Sequence, residues 1–239
     1  MRRRFFVEQF DEQRAVLQGD KAHHLGVVLR AQVGQLYELS DGTRVWLGRI
    51  ETVARDRVEF ALLEELPTTE PAVRTTLLLA VVKFDSFEWG IEKATELGVS
   101  AIVPLAAARS EKGLLAAAQK RSERWHKIIL EAAQQSRRVR LPVLEPVTKA
   151  ETAFSGRKDR LGIFLSERGQ AAPMRNAIGS ASAITDAVLA VGPEGGWTDG
   201  EVESAINAGF REASLGKLIL RTETAVVAAL AAIAFALGE

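Results

Sequence analysis

Between Val188 and Ala225 the chain twice runs from a β-prone apolar stretch through a glycine-bearing loop toward a helix, and this repeat limits the fold more than any other segment. The first pass reads VLAVGPEGGWTDGE. Val188, Leu189 and Val191 form the apolar run, Gly192-Pro193-Glu194-Gly195-Gly196 interrupts it, and Thr198 with Glu201 has the spacing of a capping box at a helix start. A glycine loop lets backbone approach a ligand closely because glycine has no Cβ, and the helix start behind it offers unpaired N–H groups. The same residues would also make a tight βα turn with no ligand. Phosphate is disfavoured, since neither G-x-x-x-x-G-K-[ST] nor G-x-G-x-x-G spacing is present and Glu194 would repel it. A neutral or cationic ligand suits the loop better. The second pass, ending LGKLILRTETA, predicts a strand over 213–220 interrupted by Gly216, then Arg221-Thr222-Glu223-Thr224 leading into an apolar helix over 225–237. That helix falls short of the roughly 20 residues a membrane span takes. It is therefore expected in the core or against a second subunit.

Upstream, the same alternation of strand and helix continues. A strand is predicted over 76–82, a helix over 86–98 with Phe87, Ile91, Ala94 and Leu97 on one face, a strand over 101–105, a helix over about 117–137, and a strand over 161–165. Such a series implies an α/β domain with a mostly parallel sheet covered on both faces. The first 70 residues read differently. Period-two runs at 35–39 and 44–47 flank Ser40-Asp41-Gly42-Thr43, and a third lies at 57–62, which predicts a small antiparallel barrel. His23, His24 and Arg30 precede the first hairpin, beside Leu25, Val28 and Leu29 at helical spacing. Two prolines at 67 and 71 break both periodicities, so the boundary is placed there, giving domains 1–70 and 71–239.

The formal net charge is zero, so a nucleic-acid partner would have to be met by local clustering. One such cluster exists: residues 109–140 carry nine Lys or Arg against three Glu. In a helix there, Trp125, Ile128, Ile129 and Ala132 make the buried stripe, leaving Arg121, Arg124 and Lys127 partly outward and Arg137, Arg138 and Arg140 at the end. Arg2, Arg3 and Arg4 add to the patch, which would position RNA through its phosphates. The absence of cysteine removes disulfides, thiolate nucleophiles and thiolate-ligated metals, and with only three histidines no metal site is expected. No apolar run of signal-peptide type follows MRRRFF, so the expected location is the cytoplasm, with no membrane partner.

GPEGGW followed by T-x-x-E, Gly209-Phe210, and LG-x-x-ILR-x-ETA together resemble the C-terminal signature of the SPOUT methyltransferases. Within that class the chain is similar to the ribosomal RNA small subunit methyltransferase E family, which makes N3-methyluridine in 16S rRNA. KATELGV at 93–99, EAAQQSRR at 131–138 and HHLGVVLRAQVGQ near the start extend the likeness over most of the chain. Phe84, Trp197 and Leu218 depart from the pattern, which more often has Gly, Phe and a basic residue there.

The resemblance implies a C-terminal sheet with a trefoil knot, an N-terminal PUA-like RNA-binding barrel, S-adenosylmethionine as cofactor, a homodimer, and 16S rRNA or the 30S subunit as partner. If the strand ends converge, Leu165, Gly192, Pro193, Glu194, Gly195, Gly196, Leu215, Gly216, Leu220, Thr222 and Ala225 would line the cofactor crevice. Uridine N3 carries a proton at neutral pH, so the site must remove it and stabilise the charge left on the carbonyl oxygens. Arg221 is the candidate for that charge, with Glu194 or Glu223 accepting the proton; Arg221 pairing with either glutamate to fix the loops is the alternative role. Candidate RNA contacts are Arg3, Arg4, His24, Arg30, Lys83, Lys93, Arg109, Arg137 and Arg138. A non-catalytic RNA-binding or assembly factor on the same fold is the competing reading.

Overall fold

The computed structural model describes residues 3–69, 71–156, 160–179 and 184–237, so Arg2 lies outside the described residues. The chain divides into two compact units: Met1–Glu70 with Ala133–Leu141, and Pro71–Ala132 with Pro142–Glu239.

The first unit is a five-stranded sheet of β1 (Arg4–Phe6), β2 (Arg14–Gln18), β3 (Leu36–Ser40), β4 (Val45–Val53) and β5 (Arg57–Leu66), in the order β1-β3-β4-β5-β2. The β3–β4 hairpin turns at Asp41, whose Oδ1 accepts from the N–H groups of Thr43 (2.9 Å) and Arg44 (2.8 Å), with Gly42 at φ +92°. All pairings are antiparallel except β1 on β3, where Arg4 faces Glu38. The edge strands β1 and β2 were not anticipated: β1 is only three residues long, and β2, RAVLQ, sets three apolar residues side by side in place of a period-two pattern. Phe5, Leu17, Leu25, Leu39, Ile50, Val58 and Phe60 fill the core. Leu25 sits in a π-helical turn, His24–Val28, that continues helix α1 (Gly19–His23), whereas Val28 is exposed. Residues 133–141 belong to this unit and meet its strands through polar contacts. Arg4 donates to Glu38 Oε2 through Nε (3.1 Å) and Nη2 (2.8 Å) and to the carbonyl of Arg137 through Nη1, while the Arg137 guanidinium lies 3.7 Å from Glu38 Oε1.

The second unit contains β6 (Arg74–Ala80), α2 (Phe84–Glu96), β7 (Ala101–Ala106), α3 (Lys112–Ala118), α4 (Ser122–Gln135), β8 (Val143–Leu144), β9 (Thr148–Lys149), α5 (Ala150–Ser155), β10 (Leu161–Leu165), β11 (Ala172–Pro173), α6 (Met174–Ile178), β12 (Asp186–Val191), α7 (Asp199–Asn207), β13 (Arg211–Ser214) and α8 (Thr222–Leu237). Its strands run β11-β13-β10-β12-β6-β7-β8, with β9 also on β7, and every described pairing is parallel. Burial on both faces explains the near-continuous apolar strands. Leu77, Leu79, Ile163 and Leu189 join Phe87, Ile91, Trp125 and Leu230 on one face; Leu78, Ala80, Phe164 and Val188 join Phe154, Trp197 and Phe210 on the other. Gly162 is small for a reason: a Cβ there would come within 2.9 Å of the Phe210 ring.

Two of the departures from the predicted elements have a local cause. The helix expected over 117–137 is α3, a 3-10 turn at Gln119–Arg121 and α4; backbone angles stay helical at Ala118, Gln119 and Ser122, so the rod tightens rather than breaks. The strand expected over 213–220 stops at Ser214, because Gly216 at φ +132° carries the chain off the sheet. The Ser214 hydroxyl seals that exit, accepting from Gly216 N–H (3.2 Å) and donating to Gly216 O (2.9 Å). No helix among the described residues is long and apolar enough to cross a membrane.

Candidate active site

The chain leaves β10 toward β11 on one side and takes up β12 on the other, an arrangement that opens a crevice beyond the carboxyl ends of the strands. A cavity of about 610 Å³ lies there, lined by the loops after β10, β12 and β13 and by Arg109. That volume is within the roughly 300–1,000 Å³ of small-molecule sites. Leu165, Val191, Leu215, Leu220 and Ala225 supply apolar wall.

Hydrogen bonds hold the three loops in register. Trp197 Nε1 donates to Leu165 O at 2.8 Å, tying the glycine loop to the end of β10, and Thr222 Oγ1 donates to Gly192 O at 3.3 Å, tying α8 to the end of β12. Gly196 N–H donates to Pro193 O at 2.8 Å and sits at φ +68°, a conformation that favours glycine. The space a Cβ would take on Gly192 belongs to Trp197, whose Cε2 would be 2.9 Å away. Behind the loop, the capping box of α7 is complete. Glu201 is only 1% exposed; its Oε2 accepts from Thr198 N–H at 2.9 Å, and its Oε1 accepts from Ala108 N–H at 2.8 Å.

The lining brings together Leu165, Gly192, Pro193, Glu194, Gly195, Gly196, Leu215, Gly216, Leu220, Arg221, Thr222 and Ala225, drawn from three loops far apart in sequence. It leaves out Glu223, which occupies the first turn of α8. Neither Glu194 nor Glu223 is ion-paired with Arg221 among the described contacts. Sequence reasoning missed Ser166, Glu167 and Arg168; the available signal was their place directly after a parallel strand, where loops gather. The charged lining of Arg109, Arg168, Lys217 and Arg221 against Glu167 and Glu194 suits a cationic small ligand beside an anionic one.

Several cations named as RNA contacts are engaged within the fold. Arg4 is buried against Glu38, and Arg137 lies at φ +57° beside the same carboxylate. Lys93 bridges Glu92 (2.7 Å) and Glu96 (2.8 Å), which raises its pKa. Arg109 donates to Gly195 O. Arg121 and Arg124 both grip the buried Glu88, at 3.0 and 2.7 Å, with Arg121 also 4.3 Å from the centre of the Phe84 ring. Arg3, His24, Arg30 and Lys83 are exposed, and Arg138 Nε donates to Arg140 O. No cluster of metal-ligating side chains occurs among the described residues.

A profile described as an RNA methyltransferase domain matches residues 69–234. The chain is 38% identical to a ribosomal RNA small subunit methyltransferase E of Synechocystis, over 95% of this chain and 74% of the relative, and 31% identical to that of Bacillus subtilis, over 97% and 96%. Among solved structures, a ribosomal RNA small subunit methyltransferase E from Neisseria gonorrhoeae bound to S-adenosyl methionine superposes with a TM-score of 0.89 at 31% identity, covering 98% of each chain. With its glycine loop, its parallel sheet and this likeness along nearly its whole length, the chain belongs to the ribosomal RNA small subunit methyltransferase E family of RNA methyltransferases.

Proposed function

We propose that this protein is an S-adenosylmethionine-dependent methyltransferase acting on N3 of a uridine in 16S rRNA of the small ribosomal subunit. The carrying observation is the cavity itself, where a glycine loop, apolar strand ends, Glu194 and Arg221 line one space. Leu165, Gly192–Gly196, Leu215–Leu220, Thr222 and Ala225 would hold the cofactor, backbone and aliphatic groups suiting a flat adenine. When bound, the cofactor supplies an electrophilic methyl on a sulfonium. Glu194 accepts the N3 proton, and Arg221 stabilises the negative charge left on the uracil oxygens. Because Glu223 lies off the lining, the proton-accepting role goes to Glu194.

The five-stranded unit serves as a PUA-like RNA-binding domain, presenting Arg3, His24, Arg30 and Arg138 to phosphates; Lys83, on the second unit, is a separate candidate contact. The C-terminal unit carries the trefoil knot of its class, and the protein works in the cytoplasm as a homodimer through α8 and residues 195–201. Phe235, 88% exposed near the end of α8, is the apolar side chain such an interface would cover.

The test is transfer of labelled methyl from S-adenosylmethionine to 30S subunits lacking the modification, with nucleoside mass spectrometry locating the methyl. Label at uridine N3 supports the proposal. Tight subunit binding with no transfer would establish the non-catalytic assembly factor instead.

A further inference from the structure

Arg109 leaves the end of β7, two strands away from β12, yet reaches the glycine loop. Its Nη1 donates to Gly195 O at 2.6 Å, and its aliphatic stem lies against Gly195, where an added Cβ would come within 3.3 Å of Arg109 Cβ and 3.4 Å of Cδ. Gly195 O and Gly196 N–H belong to one peptide group, and the N–H donates to Pro193 O at 2.8 Å. That peptide is therefore held at both ends. With glycine on either side, few steric barriers would otherwise fix its plane. The backbone carrying Arg109 is anchored in turn, since Ala108 N–H donates to the buried Glu201 that caps the helix after the loop.

We infer that Arg109 is a positioning residue of the cofactor site, clamping the Gly195–Gly196 peptide so that the loop is organised before ligand arrives. The inference rests on reading the cavity as the S-adenosylmethionine site. Preorganisation of this kind raises affinity by removing an ordering cost from binding, so the clamp is read in cofactor affinity and not in RNA affinity.

Titration calorimetry of the full chain with S-adenosylmethionine tests this, using Arg109→Met, which keeps the stem but no donor, and Arg109→Lys, which keeps one donor. Loss of a charge-assisted hydrogen bond predicts cofactor Kd raised about tenfold or more in Arg109→Met. Partial recovery is expected in Arg109→Lys, with RNA affinity, its salt slope and the thermal midpoint of the cofactor-free protein unchanged. Unaltered cofactor Kd in both variants overturns the inference, as does a fall in RNA affinity and salt slope with cofactor Kd intact, which would make Arg109 a phosphate contact. Failure of the wild-type protein to bind cofactor would instead overturn the underlying reading of the cavity, and the clamp with it.

Discussion

Replacing Gly192 by alanine should be harmful in one background and helpful in another. The added Cβ would sit 2.9 Å from Trp197 Cε2, 3.1 Å from Nε1 and 3.3 Å from Cδ2. The indole cannot retreat freely, because its Nε1 donates to Leu165 O and its ring stands edge-on to Phe154 at 5.8 Å. Overpacking of this kind costs about 1–3 kcal/mol. Trp197→Leu removes all three clashing atoms at its own cost of about 2–4 kcal/mol, a little under the range for truncation to alanine. Gly192 is not among the residues at positive φ. In the Trp197→Leu background, Gly192→Ala should therefore stabilise by about 0.4–1 kcal/mol through the unfolded chain. The two changes should couple by about 2 kcal/mol. Urea unfolding of the four cofactor-free proteins, followed by far-UV circular dichroism, completes the cycle. An equal penalty for Gly192→Ala in both backgrounds would refute the argument and return Gly192 to a role in ligand approach.

Arg221→Ala should lower the methylation rate on the order of 100-fold at saturating cofactor while RNA affinity holds; wild-type turnover would make Arg221 a loop residue. Arg3→Glu with Arg138→Glu should weaken RNA binding and reduce the slope of log affinity against log salt by roughly 0.7–0.9 per lost contact, with cofactor affinity constant by calorimetry. At Asp41, burial opposes ionisation, but the N–H groups of Arg44 and Thr43 prevail and hold the carboxyl below its ordinary value of 3.8. Its contribution to stability is thus present above the ordinary value and lost as pH falls through the lower folded one, and Asp41→Asn should remove that acid-side loss in denaturation midpoints measured against pH. Phe235→Asp should convert the proposed dimer to monomer in sedimentation; a wild-type monomer at micromolar concentration would defeat the interface.

The second unit was largely legible because its strands are apolar on both faces and its breaks carry strong local chemistry: Gly192–Gly196 after β12, and Thr198 with Glu201 opening α7. What local pattern could not show was the fate of individual cations. Arg4, Arg109 and Arg121 look alike in sequence as members of basic stretches, but their partners, Glu38, Gly195 O and Glu88, are set by tertiary contacts dozens of residues away. The same holds for residues 133–141. The helix predicted to reach 137 ends at Gln135, and Arg137, at φ +57°, lies 3.7 Å from the buried Glu38 of the first unit. The overextended strand at β13 has a simpler cause, since β-prone Leu218 and Ile219 follow Gly216 and end 83% and 78% exposed.

The position of β6 in its sheet carries a cost during synthesis. Leu77 to Ala80 are fully buried with β7 on one edge and β12 on the other, but β12 follows about a hundred residues later. At ribosomal speeds of 5–20 residues per second, that edge waits roughly 5–20 s for its partner. Throughout this interval an apolar strand with unpaired N–H and C=O groups is open to neighbouring nascent chains. Slower translation prolongs the wait, and holdase chaperones that cover the edge should raise the yield of native protein more than later stabilisation of the finished fold.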